Sequence, residues 1–187
     1  MTFAELIAMA LAHLERAGIP YMVTGSVAST YHGEARATRD LDIVIDPSTA
    51  ELDRLVADLM AAGLYVDPEA ARSALDDRTQ FNVIGPDASK IDFIIRRDRP
   101  FSLEEFERRR PADLLGTPGW IATVEDMVVA KLEWAAATDS ERQLRDVAGM
   151  LAVGGAEVDR EYIARWVDAM GLHQVWRKVS DWGLSTR

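Results

Sequence analysis

The chain has 187 residues, of which 48% are hydrophobic and 28% are charged, a length that supports one buried core or one core with a small helical appendage. It contains no cysteine, which excludes disulfides, thiolate metal ligands and a cysteine nucleophile. The formal net charge of −10 repels a phosphate backbone, so we expect no non-specific binding to duplex DNA.

The N-terminal residues lack the pattern of a signal peptide. Glu5, Glu15 and Arg16 interrupt the apolar residues, and no basic stretch precedes them. The sequence has no apolar stretch that approaches the length of a transmembrane helix, about 20 residues. We therefore expect a cytoplasmic protein that begins at Met1 and has no membrane partner.

Helical and strand patterns alternate in the first half of the chain. Apolar residues recur at helical spacing near the N-terminus, and β-branched residues mark the short strand patterns. In chain order we predict a helix over residues 3–17, a strand at Tyr21–Thr24, a helix over 26–32, a strand at Leu41–Ile45 and a helix capped by Ser48 or Thr49.

The middle of the chain contains a polar stretch and then two further strands. Residues 67–79 have few apolar anchors, which predicts a loop or a mobile flap. The strand patterns Phe81–Ile84 and Ile91–Ile95 are separated by Gly-Pro-Asp-Ala-Ser, which predicts a hairpin.

After about residue 100 the pattern changes from strands to helices. A connection containing proline and glycine, residues 111–119, leads to a short apolar segment at Trp120–Ala122. Four helices are then predicted, over residues 124–137, 141–152, 160–170 and 173–182.

Two carboxylates lie close together on the strand Leu41–Ile45. Residues two apart on a strand point the same way and are about 6–7 Å apart, so Asp40 and Asp42 project from one face while Leu41 and Ile43 enter the core. Such a pair is repulsive unless a cation lies between them. The alternative is a strand end with two solvated acids.

A third acid, Asp92, interrupts the apolar strand Ile91–Ile95. Burying a lone charge is costly, so an acid at this position needs a partner. If this strand lies beside Leu41–Ile45, we expect the carboxylates of Asp40, Asp42 and Asp92 to converge and bind two Mg²⁺ ions about 4 Å apart, which suits phosphoryl and nucleotidyl transfer. The alternative is an ion pair of Asp92 with Lys90 or Arg96.

Gly25-Ser26 has the features of a phosphate-binding turn. A glycine after a strand lets the backbone approach phosphate oxygens, and the following helix presents free N–H groups. Arg36 and Arg39 precede the acid pair, where they either neutralise the triphosphate of an NTP or lie in a solvated loop.

The sequence resembles the DNA polymerase β-like nucleotidyltransferase superfamily in the order of its motifs. A strand is followed by Gly-Ser, then by Asp-x-Asp on a second strand, and later by a lone Asp. Within this superfamily, the run from Arg36 to Asp42 (Arg-Ala-Thr-Arg-Asp-Leu-Asp) is similar to the abortive-infection, AbiEii-type toxins of type IV toxin–antitoxin systems. Glu125-Asp126, Lys131 and Asp146 match a helix motif of those families. The resemblance implies an α/β (α+β) nucleotidyltransferase fold, with a mixed β-sheet flanked by helices and a C-terminal helical region.

The resemblance also implies how the chain is organised and what it binds. Residues 1–98 would form the catalytic core and residues 99–187 a mainly helical region that completes the cleft, with Lys131 and Asp146 in contact with the nucleotide. The activity implied is Mg²⁺-dependent transfer of NMP from an NTP to a hydroxyl or phosphate of an acceptor. An AbiEii-type toxin would act on tRNA and have an antitoxin partner. A small-molecule acceptor, as in aminoglycoside nucleotidyltransferases, and a non-catalytic homologue that binds a nucleotide or a protein are the alternatives.

Overall fold

The computed structural model describes residues 1–33, 38–85 and 89–185. The strands of these ranges are β1 Tyr21–Val23, β2 Asp40–Ile45, β3 Tyr65–Val66, β4 Gln80–Ile84, β5 Lys90–Ile95, β6 Arg110–Leu114 and β7 Thr117–Ile121. The α-helices are α1 Phe3–Ala17, α2 Gly25–His32, α3 Thr49–Ala61, α4 Pro68–Asp77, α5 Pro100–Arg108, α6 Val124–Thr138, α7 Glu141–Gly154, α8 Arg160–Ala169 and α9 His173–Ser185.

The strands form one mixed sheet in the order β3-β4-β5-β2-β1-β7-β6. At its centre β2 is parallel to β5 and antiparallel to β1, while β1 is parallel to β7. The remaining neighbours are antiparallel pairs. The predicted α/β fold with a mixed sheet and flanking helices is therefore confirmed.

The two faces of the central strands differ sharply in burial. Leu41, Ile43 and Ile45 of β2 are fully buried. On the other face Asp40 is exposed, and Asp42 and Val44 are partly buried. Across β4 and β5, Phe81 and Phe93 are register partners whose rings lie 5.4 Å apart in the core. The period-2 pattern thus leaves the opposite face of β2 free for polar side chains.

Helix α3 begins at a residue that caps it. In α3, the Ser48 hydroxyl accepts from the Glu51 N–H while the Glu51 side chain accepts from the Ser48 N–H, forming a capping box. Leu52, Leu55 and Leu59 then form a fully buried stripe. Helix α3 contacts both α1 and α4.

The prediction of a loop over residues 67–79 is wrong, because most of it is helix α4. Asp67 caps the helix by accepting from the Glu69 and Ala70 N–H groups, and Pro68 is its first residue. The helix buries only Ala71 and Ala74, so it has no apolar stripe of large residues that periodicity could detect. Its capping signals were the better guide.

The prediction of a connection over residues 111–119 is also wrong, because most of it is strand. Helix α5 is followed by a hairpin of β6 and β7, in which Pro111 pairs with Trp120 and Asp113 with Pro118. Proline disfavours strands, but Pro111 lies on β6, the edge strand of the sheet, where it is tolerated. Pro118 lies on β7, whose pairing with β1 at Ile121 does not reach it. Pairing of Val23 with Ile121 attaches the hairpin to β1.

The chain clusters into two compact units. The first comprises Met1–Val27 and Ala37–Ala122, and holds the whole sheet; the second comprises Ala28–Arg36 and Thr123–Arg187. Helices α6, α7, α8 and α9 of the second unit match the four helices predicted there. Over the described ranges, no helix combines the length and apolarity needed to cross a membrane.

Candidate active site

The acid-bearing strands are neighbours in register on one face of the sheet. Asp42 of β2 is the register partner of Asp92 of β5, and Asp40 is the partner of Lys90. Neighbouring strands are about 4.8 Å apart and register partners point to the same face. Three carboxylates and one ammonium group therefore share a small patch, which we call the acid patch: Asp40, Asp42, Lys90 and Asp92.

The members of the acid patch differ in burial, and their charges interact. Asp40 is exposed, whereas Asp92 is only 7% exposed. Burial raises the pKa of Asp42, and the nearby charges of Asp92 and Asp40 raise it further. The Ser26 N–H and the Lys90 ammonium act in the opposite direction. The patch thus has the electrostatics of a site that favours an added cation.

Lys90 partly neutralises the patch through Asp92. Its Nζ lies 2.8 Å from Oδ2 of Asp92, and this bond, followed by the charges of the nearby acids, raises the pKa of Lys90. The other oxygen of Asp92, Oδ1, is buried and has no hydrogen-bond partner among the described residues. A buried carboxylate oxygen in this state is an acceptor site for a ligand or metal ion.

Gly25 packs directly against Asp42. Its φ is +61°, and a Cβ added there would lie 1.9 Å from Oδ2 and 2.7 Å from Cβ of Asp42. The Ser26 N–H donates to Oδ2 of Asp42 at 3.4 Å, at the start of helix α2. The glycine is therefore required by both its backbone conformation and the close approach of the acid.

Of the two arginines predicted to contact the triphosphate, one falls among the described residues. Arg39 is exposed immediately before β2. Arg36 lies outside the described residues. Sequence reasoning missed Asn82, which is the register partner of Asp92 on β4 and therefore continues the row Asp42–Asp92 along the same face. Its only sequence signal is a polar residue at an exposed position of an alternating strand.

The two proposed ion-pair partners of Asp92 are now distinguished. Lys90 pairs with Asp92, whereas Arg96 pairs with Asp46 at 3.0 Å and with Asp98 at 3.2 Å. These arginine contacts lie beyond the last residues of β2 and β5, the ends opposite the acid patch. Arg96 therefore fastens two parallel strands at that end of the sheet.

In the second unit, Lys131 and Asp146 meet across helices α6 and α7. The Lys131 Nζ donates to Oδ2 of Asp146 at 2.8 Å and to Oε1 of Gln143 at 2.7 Å. Lys131 is 6% exposed, so the pair is largely desolvated. The structure thus explains the lysine in an apolar helix face by its partner on α7.

The Glu125-Asp126 segment at the start of α6 is a second buried polar cluster. Asp126 is fully buried and accepts from the Thr123 hydroxyl at 2.6 Å and from the Tyr162 hydroxyl. Glu125 accepts from the Asp159 N–H at 3.1 Å. These bonds join α6 to α8 and give the two acids a role within the helical unit.

Asp42 and Asp92 are the residues best placed to hold a divalent cation, because carboxylate oxygens are the ligands that Mg²⁺ prefers. Among the residues that the structure describes, no group of three or more histidine, aspartate or glutamate side chains is arranged as a metal-binding cluster. The Lys90 ammonium group occupies one oxygen of Asp92 in this arrangement.

No protein-family model matches the chain, and no curated protein matches it. Solved structures do. The solution structure of the antibiotic-resistance factor ANT(2'')-Ia matches with a TM-score of 0.62 at 14% identity, covering 94% of each chain. The chain has a nucleotidyltransferase fold.

Two further structures support this assignment of the fold. A crystal structure of ANT(2'')-Ia in complex with adenylyl-2''-tobramycin has a TM-score of 0.62 and 17% identity, with 91% of this chain and 99% of that chain covered. The lincosamide antibiotic adenylyltransferase LnuA, with lincomycin bound, has a TM-score of 0.56 and 13% identity, with 82% and 98% covered.

Proposed function

We propose that the chain is a Mg²⁺-dependent nucleotidyltransferase, which moves a nucleoside monophosphate from an NTP to a hydroxyl or phosphate of an acceptor. The observation that carries the proposal is the register of Asp42 with Asp92 on one face of the sheet, with the Gly25-Ser26 backbone against Asp42. Two carboxylates side by side repel, so this arrangement favours a site for a cation over a purely structural role.

The residues present fit the metal that this chemistry needs. Oδ1 of the buried Asp92 has no partner within the described residues. Burial and then the charge of Asp92 raise the pKa of Asp42, and a bound cation would relieve the repulsion between the two acids. Asp40, Asp42 and Asp92 would hold two Mg²⁺ ions, which when bound would neutralise the triphosphate and its leaving group and acidify the acceptor hydroxyl.

The chain's own groups then have separate roles in the transfer. Gly25 and Ser26 cradle the phosphate oxygens with the Ser26 hydroxyl as a donor, while the Ser26 N–H donates to Asp42. Arg36, Arg39, Lys131 and Asp146 are further nucleotide contacts in this proposal. The acceptor oxygen attacks the α-phosphorus, its proton passes to Asp92, and the bond to the β-phosphate oxygen breaks to release pyrophosphate.

Two acceptor classes each have an observation in their favour. The resemblance of the Arg36–Asp42 run to AbiEii-type toxins supports tRNA, and with it a toxin role and an antitoxin partner. The net charge of −10 instead favours a small cationic acceptor over a polyanion. Similarity in fold to enzymes bound to adenylyl-2''-tobramycin and to lincomycin also supports a small-molecule acceptor.

The experiment is transfer of label from α-³²P NTPs with Mg²⁺, into total tRNA and, separately, into a panel of aminoglycoside and lincosamide antibiotics. Asp42→Asn is the test variant, and Asp53→Asn, an exposed acid that pairs with Arg72, is the matched control. Label that depends on Asp42 but not on Asp53 supports the proposal and identifies the acceptor class.

Two outcomes would count against this proposal. Transfer that survives Asp42→Asn would remove the acid patch from the chemistry. Tight NTP binding with no transfer to either acceptor pool would favour a non-catalytic homologue that binds a nucleotide.

Growth arrest on expression, relieved by co-expression of the protein encoded by a neighbouring gene, would support the toxin assignment.

A further inference from the structure

Lys90 occupies the position in the acid patch that a metal ion would compete for. Its Nζ is 2.8 Å from Oδ2 of Asp92, and its residue is the register partner of Asp40. The lysine side chain is 38% exposed while that of Asp92 is 9% exposed. The ammonium group thus reaches from the solvent edge of the patch to its most buried carboxylate.

A lysine ammonium and a divalent cation cannot share this carboxylate without strong repulsion. Mg²⁺ binds carboxylate oxygens at about 2.0–2.1 Å, which would place it within a few ångströms of Nζ in the present arrangement. Repulsion between cations at such separations is large in a half-buried site, where the effective dielectric constant is well below that of water. The four-carbon stem and the exposure of Lys90 allow the ammonium group to leave.

We propose that Lys90 is a built-in counter-ion, which holds Asp92 in the nucleotide-free protein and competes with the divalent cation for it. This inference rests on the proposed function, because it assumes that the acid patch binds the metal. Lys90 is a positioning residue that acts through Asp92. It makes metal binding depend on the nucleotide, since the negative charge of a triphosphate offsets the repulsion between the metal ion and the displaced ammonium group.

The test is calorimetric titration of Mn²⁺ into the nucleotide-free, full-length protein. Lys90→Met is expected to bind Mn²⁺ about tenfold more tightly than the unmodified chain. This change in affinity corresponds to a small part of the repulsion energy between two cations at contact distance. Lys178→Met removes the same charge from an exposed lysine that pairs with Asp139, and is expected to leave the affinity unchanged. Lys90→Gln serves as a second variant if Lys90→Met folds poorly.

The dependence on nucleotide and on salt tests the mechanism itself. A non-hydrolysable NTP analogue should increase the Mn²⁺ affinity of the unmodified chain more than that of Lys90→Met. The tenfold difference should persist in 0.5 M KCl, about the concentration range in which long-range charge effects are screened. A difference that disappears in high salt would show a distant electrostatic effect and overturn the direct competition.

The remaining outcomes separate this inference from the proposed function. Equal or weaker Mn²⁺ binding by Lys90→Met would refute competition while leaving the metal site in place. Asp92→Asn should abolish Mn²⁺ binding both in the unmodified chain and in the Lys90→Met variant. If Mn²⁺ binds equally well to Asp92→Asn, the acid patch is not the metal site, and both the proposed function and this inference fail.

Discussion

Replacing Gly25 by alanine should destabilise the protein and displace a residue of the acid patch. The added Cβ would lie 1.9 Å from Oδ2, 2.5 Å from Cγ and 2.7 Å from Cβ of Asp42. Rotating the carboxylate relieves the first two contacts but not the third, so the backbone of α2 or β2 must move.

The magnitude follows from two separate costs. A non-glycine residue in the left-handed region costs about 1–2 kcal/mol, and Gly25 has φ of +61°. Overpacking that forces a backbone shift costs about 1–3 kcal/mol more. The expected loss in the free energy of unfolding is therefore about 2–5 kcal/mol, or roughly 5–15 °C in Tm for a chain of this size.

Thermal unfolding of matched variants separates the two costs. Gly18→Ala is the control, because Gly18 has φ of +71° and no described heavy atom lies within 4 Å of its added Cβ. It should lose only the backbone part, about 1–2 kcal/mol. In an Asp42→Gly background the contact is removed, so Gly25→Ala should cost no more than the control.

Equal losses for Gly25→Ala and Gly18→Ala would refute the packing of Gly25 on Asp42. In the transfer assay, a displacement of Asp42 by about 1 Å should lower activity by roughly 100-fold. A Gly25→Ala variant with full activity would contradict the role given to Asp42.

Three further predictions concern charges and hydrogen bonds. Burial and then the charge of Asp92 raise the pKa of Asp42 in the folded protein, so its charged form lowers the free energy of unfolding above that pKa. Asp42→Asn should therefore raise Tm at pH 7. The gain should vanish below about pH 3, where the acid is protonated in both the folded and the unfolded protein. Lys131→Met should lower the free energy of unfolding, measured with urea, by about 2–4 kcal/mol, because it leaves Asp146 without its partner. Most of the loss should be recovered in a double variant with Asp146→Asn. Equal losses in the single and double variants would exclude the ion pair as the cause. Tyr162→Phe removes a donor to the buried Asp126 and should cost about 1–3 kcal/mol, and an unchanged urea midpoint would contradict this.

Local patterns in the sequence determined the faces of the central strands. Alternation in β2 puts Leu41, Ile43 and Ile45 in the core, so the direction of Asp40 and Asp42 is fixed by the period of a strand. Capping boxes and apolar stripes likewise located most helices. Where the apolar stripe was weak, as in α4 with its two buried alanines, prediction failed.

Only the tertiary structure decided which acids meet and what neutralises them. Asp42 and Asp92 are about fifty residues apart in the chain, and their pairing depends on the parallel register of β2 with β5. The same register puts Lys90 beside Asp40 and Asn82 beside Asp92, and puts Arg96 at the other end of the strands. A one-residue shift would separate the two acids onto opposite faces, and no local pattern encodes that choice, because register between distant strands is set by the packing of the whole sheet.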